Sequence, residues 1–490
     1  MTTTTKMAPG RAEPLLPRHW TVADSALWAY LVLPVPIFLG GFFIPWLGLP
    51  LAGLALWGAW RFLPPNGRRM DRPPFASWIL LALLAAAWTA LGGAGHLFHA
   101  NGIDWVPRFA VLRDLVVAPW PPRYGAGAEA MLLRAPPGYY LPAALLGKLA
   151  GLAWLDRLLL VWTWLGVALF FCANFGGRPT RGLAAALVFA FASGLDVLGL
   201  LWREGSLPWP TQHIEWWAGG MQYSSNSTLL FWVPNHGLPG WIAGAWLWRL
   251  RDDPRFLARL PLLFLPVMLW SPLVAVGLLP LAVVAALRHW RALFDARADG
   301  RGLLASVALA APPAALIAAY LLLGFFGAEA GPNALTPTAA VLNLPAPRGH
   351  RLAFVLLEVG VFCAFLLWRD RSLLALAAVA LLLLMPWTRW GPNNDLLMRA
   401  SIPALAMLWL MLAESLTAPG ANLGGRVWRL ALVILFALGA VTPLLEIQRA
   451  LSGNRWPADT RISAPQALNG FPPHYFVAEK RNWLAPLLRR

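Results

Sequence analysis

Charged residues are scarce in this chain: they make up 12% of its 490 residues, whereas 59% are hydrophobic. Soluble domains carry about 25% charged residues, which keep the surface in contact with water. A soluble fold of this length would have too few charges for its surface, but a surface that faces lipid needs none. The composition therefore excludes an ordinary soluble domain and predicts an integral membrane protein. The 29 tryptophans suit helix ends at a membrane–water interface.

Acidic residues and cysteines are few as well. The chain has 22 Asp and Glu against 39 Lys and Arg, a net charge of +17. The arginines lie in short gaps between apolar runs, as the positive-inside rule requires, so we expect no nucleic acid partner. Cys172 and Cys363 lie inside apolar runs and are expected to pack there without a disulfide. Residues 1–23 lack the pattern of a cleavable signal peptide.

Apolar runs dominate the rest of the chain, and a helix needs about 20 apolar residues to cross a bilayer. The run 260–288 is interrupted at Ser271-Pro272 and predicts a hairpin of two short helices, whereas 138–153 predicts an interfacial or re-entrant helix. The expected fold class is all-α, a bundle of about 11–13 transmembrane helices with interfacial helices in the first outer loop. The other predicted spans are 25–43, 46–62, 76–93, 157–175, 182–202, 227–249, 302–325, 351–368, 372–386, 397–416 and 428–446.

The arginine-rich gaps all fall on one side of the membrane if 138–153 does not cross it. Residues 1–24 are then a cytoplasmic tail, 25–446 form the transmembrane domain, and 447–490 lie outside. Long loops carry function more often than short ones, so we expect the functional site on the outer face. The outer loops are 94–156, 203–226, 327–350 and 387–396.

Asp104 is the candidate catalytic residue of the first outer loop. It precedes a predicted short helix that has Pro107 in its first turn, so it could simply cap that helix. A carboxylate at the membrane surface can also accept the proton of a hydroxyl nucleophile, and the two roles are compatible. Asp114 is expected to pair with Arg108 or Arg113.

Two histidines, His96 and His99, have the spacing of metal ligands on one helical face, but no third ligand lies near them in the sequence. We therefore expect buried or interfacial histidines and no metal. Further on, the paired Tyr139 and Tyr140 suit an interface. Lys148, in an otherwise apolar helix, either extends to the headgroups or binds a lipid phosphate.

The densest group of polar and aromatic residues occupies 202–240. Aromatic faces interleaved with carboxylates and amides suit sugar rings, which present apolar C–H faces and many hydroxyls, although an interface also favours Trp. The candidate binding residues are Glu215, Gln222, Tyr223, Asn235 and His236. Asp196 and Glu358 lie in or near predicted spans, where ionisable groups are costly and are functional candidates; Glu358 would face a proton path or pair with an Arg.

A late helix begins at the outer face near Asp395, which is a natural N-cap. Arg399 lies one turn further on. An Arg side chain can donate two parallel hydrogen bonds to two oxygens of one phosphate, so Arg399 could hold a lipid-linked phosphate. The alternative is a local ion pair between Asp395 and Arg399. Arg389 and Asn394 are the neighbouring candidates.

This layout resembles the bacterial membrane glycosyltransferases of the GT-C superfamily, related to the mannosyltransferase and aminoarabinose transferase-like families. The specific similarity covers 96–148, with weaker similarity at 222–241 and 389–403. The resemblance implies an Asp that orients or deprotonates the acceptor, at Asp104 here. Arg399 and Arg389 would bind the carrier phosphate. The family's Pro-Pro-x-Tyr-Tyr pattern corresponds to Pro136, Pro137, Tyr139 and Tyr140.

The resemblance implies inverting transfer of a sugar from a polyprenyl-phosphate carrier to a glycan, lipid or protein acceptor outside a bacterial inner membrane. Some relatives bind a metal through paired acids, which are absent near Asp104, so we expect no cofactor and a metal-independent reaction. The lipid-linked sugar donor is a substrate. A transporter or flippase of a lipid-linked saccharide, and a non-catalytic assembly subunit, are the alternatives.

Overall fold

The computed structural model describes residues 15–64, 74–293, 302–323, 348–390, 394–419, 423–479 and 483–489. Most of the predicted outer loop 327–350 lies outside these ranges, as do residues 391–393 of the loop 387–396 and residues 1–14 of the predicted tail. The described chain is mostly helical.

Helices form the bulk of the fold. Many of them begin with Pro at the first helical position, where the missing N–H is not needed. The α-helices before residue 205 are Val22–Val32, Pro34–Phe42, Pro45–Phe62, Phe75–Ala90, Gly102–Val117, Leu141–Ala150, Leu155–Phe175, Pro179–Ala190 and Asp196–Glu204. Those up to residue 323 are Asn226–Trp232, Pro234–Arg249, Pro254–Leu257, Leu260–Trp270, Pro272–Leu287, Trp290–Leu293 and Leu303–Leu321. The last are Arg348–Val355, Val361–Arg369, Leu373–Leu384, Asp395–Ala400, Ile402–Thr417, Leu423–Gly439, Val441–Ser452 and Ala464–Ala467.

Five of the described helical stretches are long and apolar enough to cross a membrane: Val22–Phe42, Leu152–Phe175, Leu303–Leu321, Gly349–Arg369 and Gly424–Ser452. They make the chain a membrane protein by length and composition. Seven further apolar helices have 10–17 residues, fewer than the about 20 of a perpendicular crossing. Several of the 11–13 spans predicted from the sequence fall on these shorter helices, such as Phe75–Ala90 and Pro272–Leu287.

The predicted break at Ser271-Pro272 is present, because one helix ends at Trp270 and the next begins at Pro272. The predicted spans 182–202 and 227–249 are each divided into two helices, with breaks after Ala190 and Trp232. In the span 227–249, Pro234 interrupts the helical backbone hydrogen bonds, because proline has no backbone N–H to donate.

The core is centred on the Pro234–Arg249 helix, in which every residue is buried. It packs against the Ile402–Thr417 helix, which is buried over most of its length, and a glycine lies at the contact. A methyl group on Gly244 would come within 2.6 Å of the Pro403 carbonyl oxygen, so only glycine allows this approach. Arg249 is one of the arginines in the gaps between apolar runs, but its side chain is fully buried and bonded to Asp24 at 2.9 Å.

The mostly helical fold is compatible with the expected all-α membrane protein, and it also contains a small antiparallel sheet. Its strands are β1 (Arg123–Tyr124), β2 (Met131–Leu133) and β3 (Phe476–Ala478), in the order β1-β2-β3. Leu132 pairs with Val477. Each strand is too short to be recognised alone, and β3 comes from the other end of the chain, so pairing depends on tertiary contact.

The C-terminal segment packs on the first outer loop. The preceding helix runs to Ser452, past the boundary expected at 446. Beyond it, the Trp456 indole donates to the carbonyl of Ala100 at 2.9 Å, and the Ala464 amide donates to Asp114 at 2.8 Å. The segment therefore holds the Gly102–Val117 helix in place.

Candidate functional site

Asp104 lies in the first turn of the Gly102–Val117 helix, not before it. The N-cap is Asn101, whose side chain accepts a hydrogen bond from the Ile103 amide at 3.0 Å. Asp104 is therefore free of the capping role and is favoured at this position by the helix dipole. Its carboxylate pairs with Arg108, one turn on, at 2.8 Å, and its side chain is 24% exposed.

Arg108 connects Asp104 to a buried polar cluster. One guanidinium nitrogen donates to the Asn235 side-chain oxygen at 2.7 Å and to the Tyr140 hydroxyl at 3.5 Å. The Arg108 Nε is buried without a partner among the described residues. Because Tyr140 precedes the Leu141–Ala150 helix and Asn235 begins the Pro234–Arg249 helix, the guanidinium joins three segments.

His236 continues the cluster inward. Its Nε2 lies 3.1 Å from the Asn235 amide nitrogen, and its Nδ1 lies 2.7 Å from the Ser271 hydroxyl. Ser271 occupies the break between two helices, where its side chain is fully buried. Arg108 and Arg399 both act on His236 electrostatically, so the two arginines approach it from different parts of the chain.

Arg399 forms an ion pair with Asp395, as the structural alternative in the sequence predicts. The N-cap of this helix is Asn394, in the left-handed region at φ 55°, so Asp395 is the first helical residue and not the cap. Asn394 is buried and closes the preceding turn by accepting from the Trp390 amide at 3.1 Å. Arg389 is half-buried in the stretch before this turn.

His474 and Tyr475 complete the neighbourhood, and sequence reasoning missed both. Tyr475 acts electrostatically on Arg108 and Tyr140, and His474 is acted on by Asp395 and Arg399. The carbonyl of Tyr475 accepts from the Arg134 amide at 2.7 Å, which fixes the segment beside β2. The only sequence signal is that these residues follow a Pro-Pro pair in the predicted outer C-terminal segment.

The polar residues of the 203–226 loop form a second cluster. Glu215 is buried and accepts from the Ser225 amide at 2.9 Å, the Thr228 hydroxyl at 2.5 Å and the Gln222 amide at 2.6 Å. Burial raises the pKa of Glu215 to about 7. The Tyr223 hydroxyl donates to the Leu382 carbonyl at 2.6 Å. These hydrogen bonds hold the loop together and do not connect it to Asp104.

Tyr139 and Lys148 contact protein, although the sequence favoured an interface for both. Tyr139 is fully buried and shares a 2.6 Å hydrogen bond with Thr163. The exposed Lys148 donates to the carbonyls of Val116 and Ala118 at 2.9 and 2.6 Å. It therefore stabilises the C-terminal end of the helix that carries Asp104.

The two histidines of the first outer loop do not share a helical face. His96 is in a turn at φ 42° and contacts Asp156 at 2.9 Å, whereas His99 contacts the Asn454 carbonyl at 2.7 Å. Within the described ranges, no three His, Cys, Asp or Glu side chains are grouped as metal ligands. Cys172 and Cys363 are buried free thiols.

Neither a family model nor a curated protein matches the sequence of this chain. A functional proposal therefore depends on the geometry of the two clusters and on the resemblance of the motifs.

Proposed function

We propose that this protein is a GT-C-type membrane glycosyltransferase, which transfers a sugar from a polyprenyl-phosphate carrier to an envelope glycan, lipid or protein. One observation carries the proposal: Arg108 and Arg399, each paired with an Asp one turn away and far apart in the sequence, both act electrostatically on His236. A transferase of this kind needs a carboxylate for the acceptor and a cation for the phosphate, and this neighbourhood provides both.

Asp104 would orient or deprotonate the acceptor hydroxyl. Its side chain is partly exposed, so an acceptor can reach it, while Arg108 fixes one carboxylate oxygen at 2.8 Å. Arg108 is itself fixed by Asn235, which holds the carboxylate at a defined place for attack on the sugar. The attack breaks the bond between the anomeric carbon and the phosphate oxygen and inverts the sugar configuration.

Arg399 would stabilise the polyprenyl phosphate as it leaves. A cationic donor aimed at developing charge is worth roughly 3–4 kcal/mol in the transition state. A phosphate would compete with Asp395 for Arg399, so substrate binding would exchange one anion for another. Asp395 and His474 lie close enough to interact electrostatically, so His474 would meet the same phosphate.

The proposed location is a bacterial inner membrane with the N-terminus in the cytoplasm and the C-terminal segment outside. Apolar side chains such as Trp46, Leu83 and Trp368 are more than half exposed, which suits contact with lipid. The partners would be membrane lipid, the lipid-linked sugar and its acceptor.

A second candidate is a transporter or flippase of a lipid-linked saccharide, without transfer chemistry. The observation that favours it is the buried carboxylate of Glu358 inside a candidate span, since such groups mark ion and proton pathways.

The test uses purified protein in proteoliposomes with radiolabelled polyprenyl-phosphate hexoses and pentoses, and envelope glycolipid extract as acceptor. We expect product and free polyprenyl phosphate from the wild type. Asp104→Asn should lower turnover by at least about 100-fold, because it removes the proton acceptor. The matched control is Asp459→Asn in the C-terminal segment, whose carboxylate accepts hydrogen bonds from Arg461, two residues further on.

Near-normal turnover of a folded Asp104→Asn protein would remove Asp104 from the mechanism. Movement of the labelled lipid across the bilayer without product would support the transporter and exclude the transferase.

A further inference from the structure

Asp196 and Glu358 form a carboxyl pair away from the Asp104 site. Asp196 begins the Asp196–Glu204 helix, and Glu358 lies in a π-helical turn, Leu356–Gly360, inside the candidate span Gly349–Arg369. Each residue is 1% exposed. Turns of this type are rare inside helices and frequently occur at functional sites.

The donors around the pair are neutral. Asp196 Oδ2 accepts from the hydroxyls of Ser193 at 3.0 Å and Thr442 at 2.7 Å, and Glu358 Oε1 accepts from the Trp217 indole at 2.8 Å. The two residues are neighbours in space: the Leu195 amide donates to the Leu357 carbonyl at 3.1 Å, and the two carboxyl groups interact electrostatically. Two adjacent buried carboxyl groups whose donors are all neutral do not both remain ionised, so we expect one of the two to carry a proton.

Glu358 Oε2 gives a second indication. It is buried and has no donor among the described residues. A methyl group on Gly194 would come within 2.0 Å of it, so the backbone is packed directly against this oxygen and leaves no room for a hydrated cation. In the described part of the chain, no third carboxylate, His or Cys completes a metal site here. A proton is the ligand that fits.

The titratable groups that face the pair are mostly acids. Glu215 and His213 act on it from the 203–226 loop, and Tyr223 interacts with Glu358. Glu446 belongs to the helix that also carries Thr442, and it is bonded to His213 at 2.7 Å and to Arg449 at 3.0 Å. His213 and Arg449 are thus both paired with Glu446.

His213 connects this region to the outer surface. Its Nε2 is 4.0 Å from Glu215 and has no hydrogen-bond partner in the described structure, and its ring packs against Trp216, which is 49% exposed. An imidazole nitrogen without a hydrogen-bond partner is available for proton transfer.

We propose that Asp196 and Glu358 share one exchangeable proton, so that the membrane domain contains a proton-binding site that exchanges with the outer face through His213. The shared proton joins the Asp196–Glu204 helix to the π-helical turn. Its loss would leave two adjacent buried negative charges and separate these elements. The site does not depend on the proposed transferase activity.

Infrared spectroscopy of the purified protein in nanodiscs tests this directly. The wild type at neutral pH should show a protonated-carboxyl C=O band that shifts in D2O. In the double variant Asp196→Asn/Glu358→Gln, the band should lose the intensity of one carboxyl group. The band should remain in the control Glu414→Gln, because the Glu414 carboxylate pairs with Arg18 at 3.2 Å. If the double variant does not fold, either single variant should shift the band.

A full wild-type band in the double variant, or an unaltered band in both single variants, would overturn the proposal. A band that appears only after chelator treatment would also overturn it, because a metal would then hold the pair together. If the proton exchanges through His213, the band should shift more slowly after transfer to D2O in His213→Phe than in the wild type. An unchanged rate would remove His213 from the exchange path.

Discussion

Replacing Asp24 by Asn should destabilise this protein severely, because Asp24 and Arg249 form a buried ion pair. Arg249 binds both carboxylate oxygens at 2.9 Å, and neither side chain is exposed. The Trp246 indole donates to the same carboxylate at 2.6 Å and the Thr21 amide at 2.7 Å. The Thr21 amide lies at the start of the Val22–Val32 helix, whereas Trp246 and Arg249 belong to the Pro234–Arg249 helix. Asp24 therefore joins these two helices.

The magnitude follows from this geometry. Asn keeps one acceptor oxygen but presents an amide NH2 to the remaining donors, and Arg249 loses the negative charge of Asp24. Removing one partner of a buried pair costs about 3–5 kcal/mol. The control Asp252→Asn breaks an exposed pair with Arg288 at 3.3 Å, and such pairs are worth about 0–1 kcal/mol.

Thermal unfolding in detergent can be followed with a thiol-reactive dye, since Cys172 and Cys363 are both buried and become reactive only on unfolding. We expect a clear fall in the apparent Tm for Asp24→Asn and almost none for Asp252→Asn. Adding Arg249→Met to Asp24→Asn should recover part of the loss, because it removes the unpaired charge. Equal apparent Tm values for the two single variants would refute the reasoning.

Two further predictions concern stability. Burial raises the pKa of Glu215 from its ordinary value of 4.5 to about 7, so its protonation favours the folded state below pH 4.5 and this contribution is lost as the pH rises through 7. The difference in unfolding free energy between wild type and Glu215→Gln should therefore change between pH 4.5 and 8, by at most about 3 kcal/mol. Dye-monitored unfolding at several pH values measures it, and a difference that does not vary with pH would contradict the prediction. Gly277→Ala places a methyl 1.8 Å from the Ala400 carbonyl oxygen and should lower both the apparent Tm and the folded yield. Gly53→Ala, where nothing lies within 4 Å of the methyl, should leave both unchanged or slightly raised, and equal losses in the two variants would exclude the clash as the cause.

Part of the candidate site could be anticipated from short-range chemistry. Asp104 and Arg108 are four residues apart on a helix, as are Asp395 and Arg399, and such spacings bring opposite charges together. The predicted capping residues are wrong by three positions in the first helix and by one in the second: the caps are Asn101 and Asn394, not Asp104 and Asp395. Polar residues cluster before each helix, and any of them could cap it.

The partners of Asp196 and Glu358 were beyond sequence reasoning. The sequence marked both as costly buried acids and offered an Arg as the partner of Glu358. The structure pairs Glu358 with Trp217 and Asp196, which lie about 140 to 160 residues away along the chain, so no local spacing could reveal the contact.

Composition and apolar run length alone determined that this is a helical membrane protein. The bilayer core offers no hydrogen-bond partners to the backbone, and a long apolar helix satisfies its backbone N–H and C=O groups internally. Only the tertiary structure decided that the C-terminal segment lies beside Arg108 and Arg399, and that a strand from it completes the small sheet. Those contacts depend on which surfaces remain unpaired after the helices pack, and that is a property of the whole chain and not of any segment.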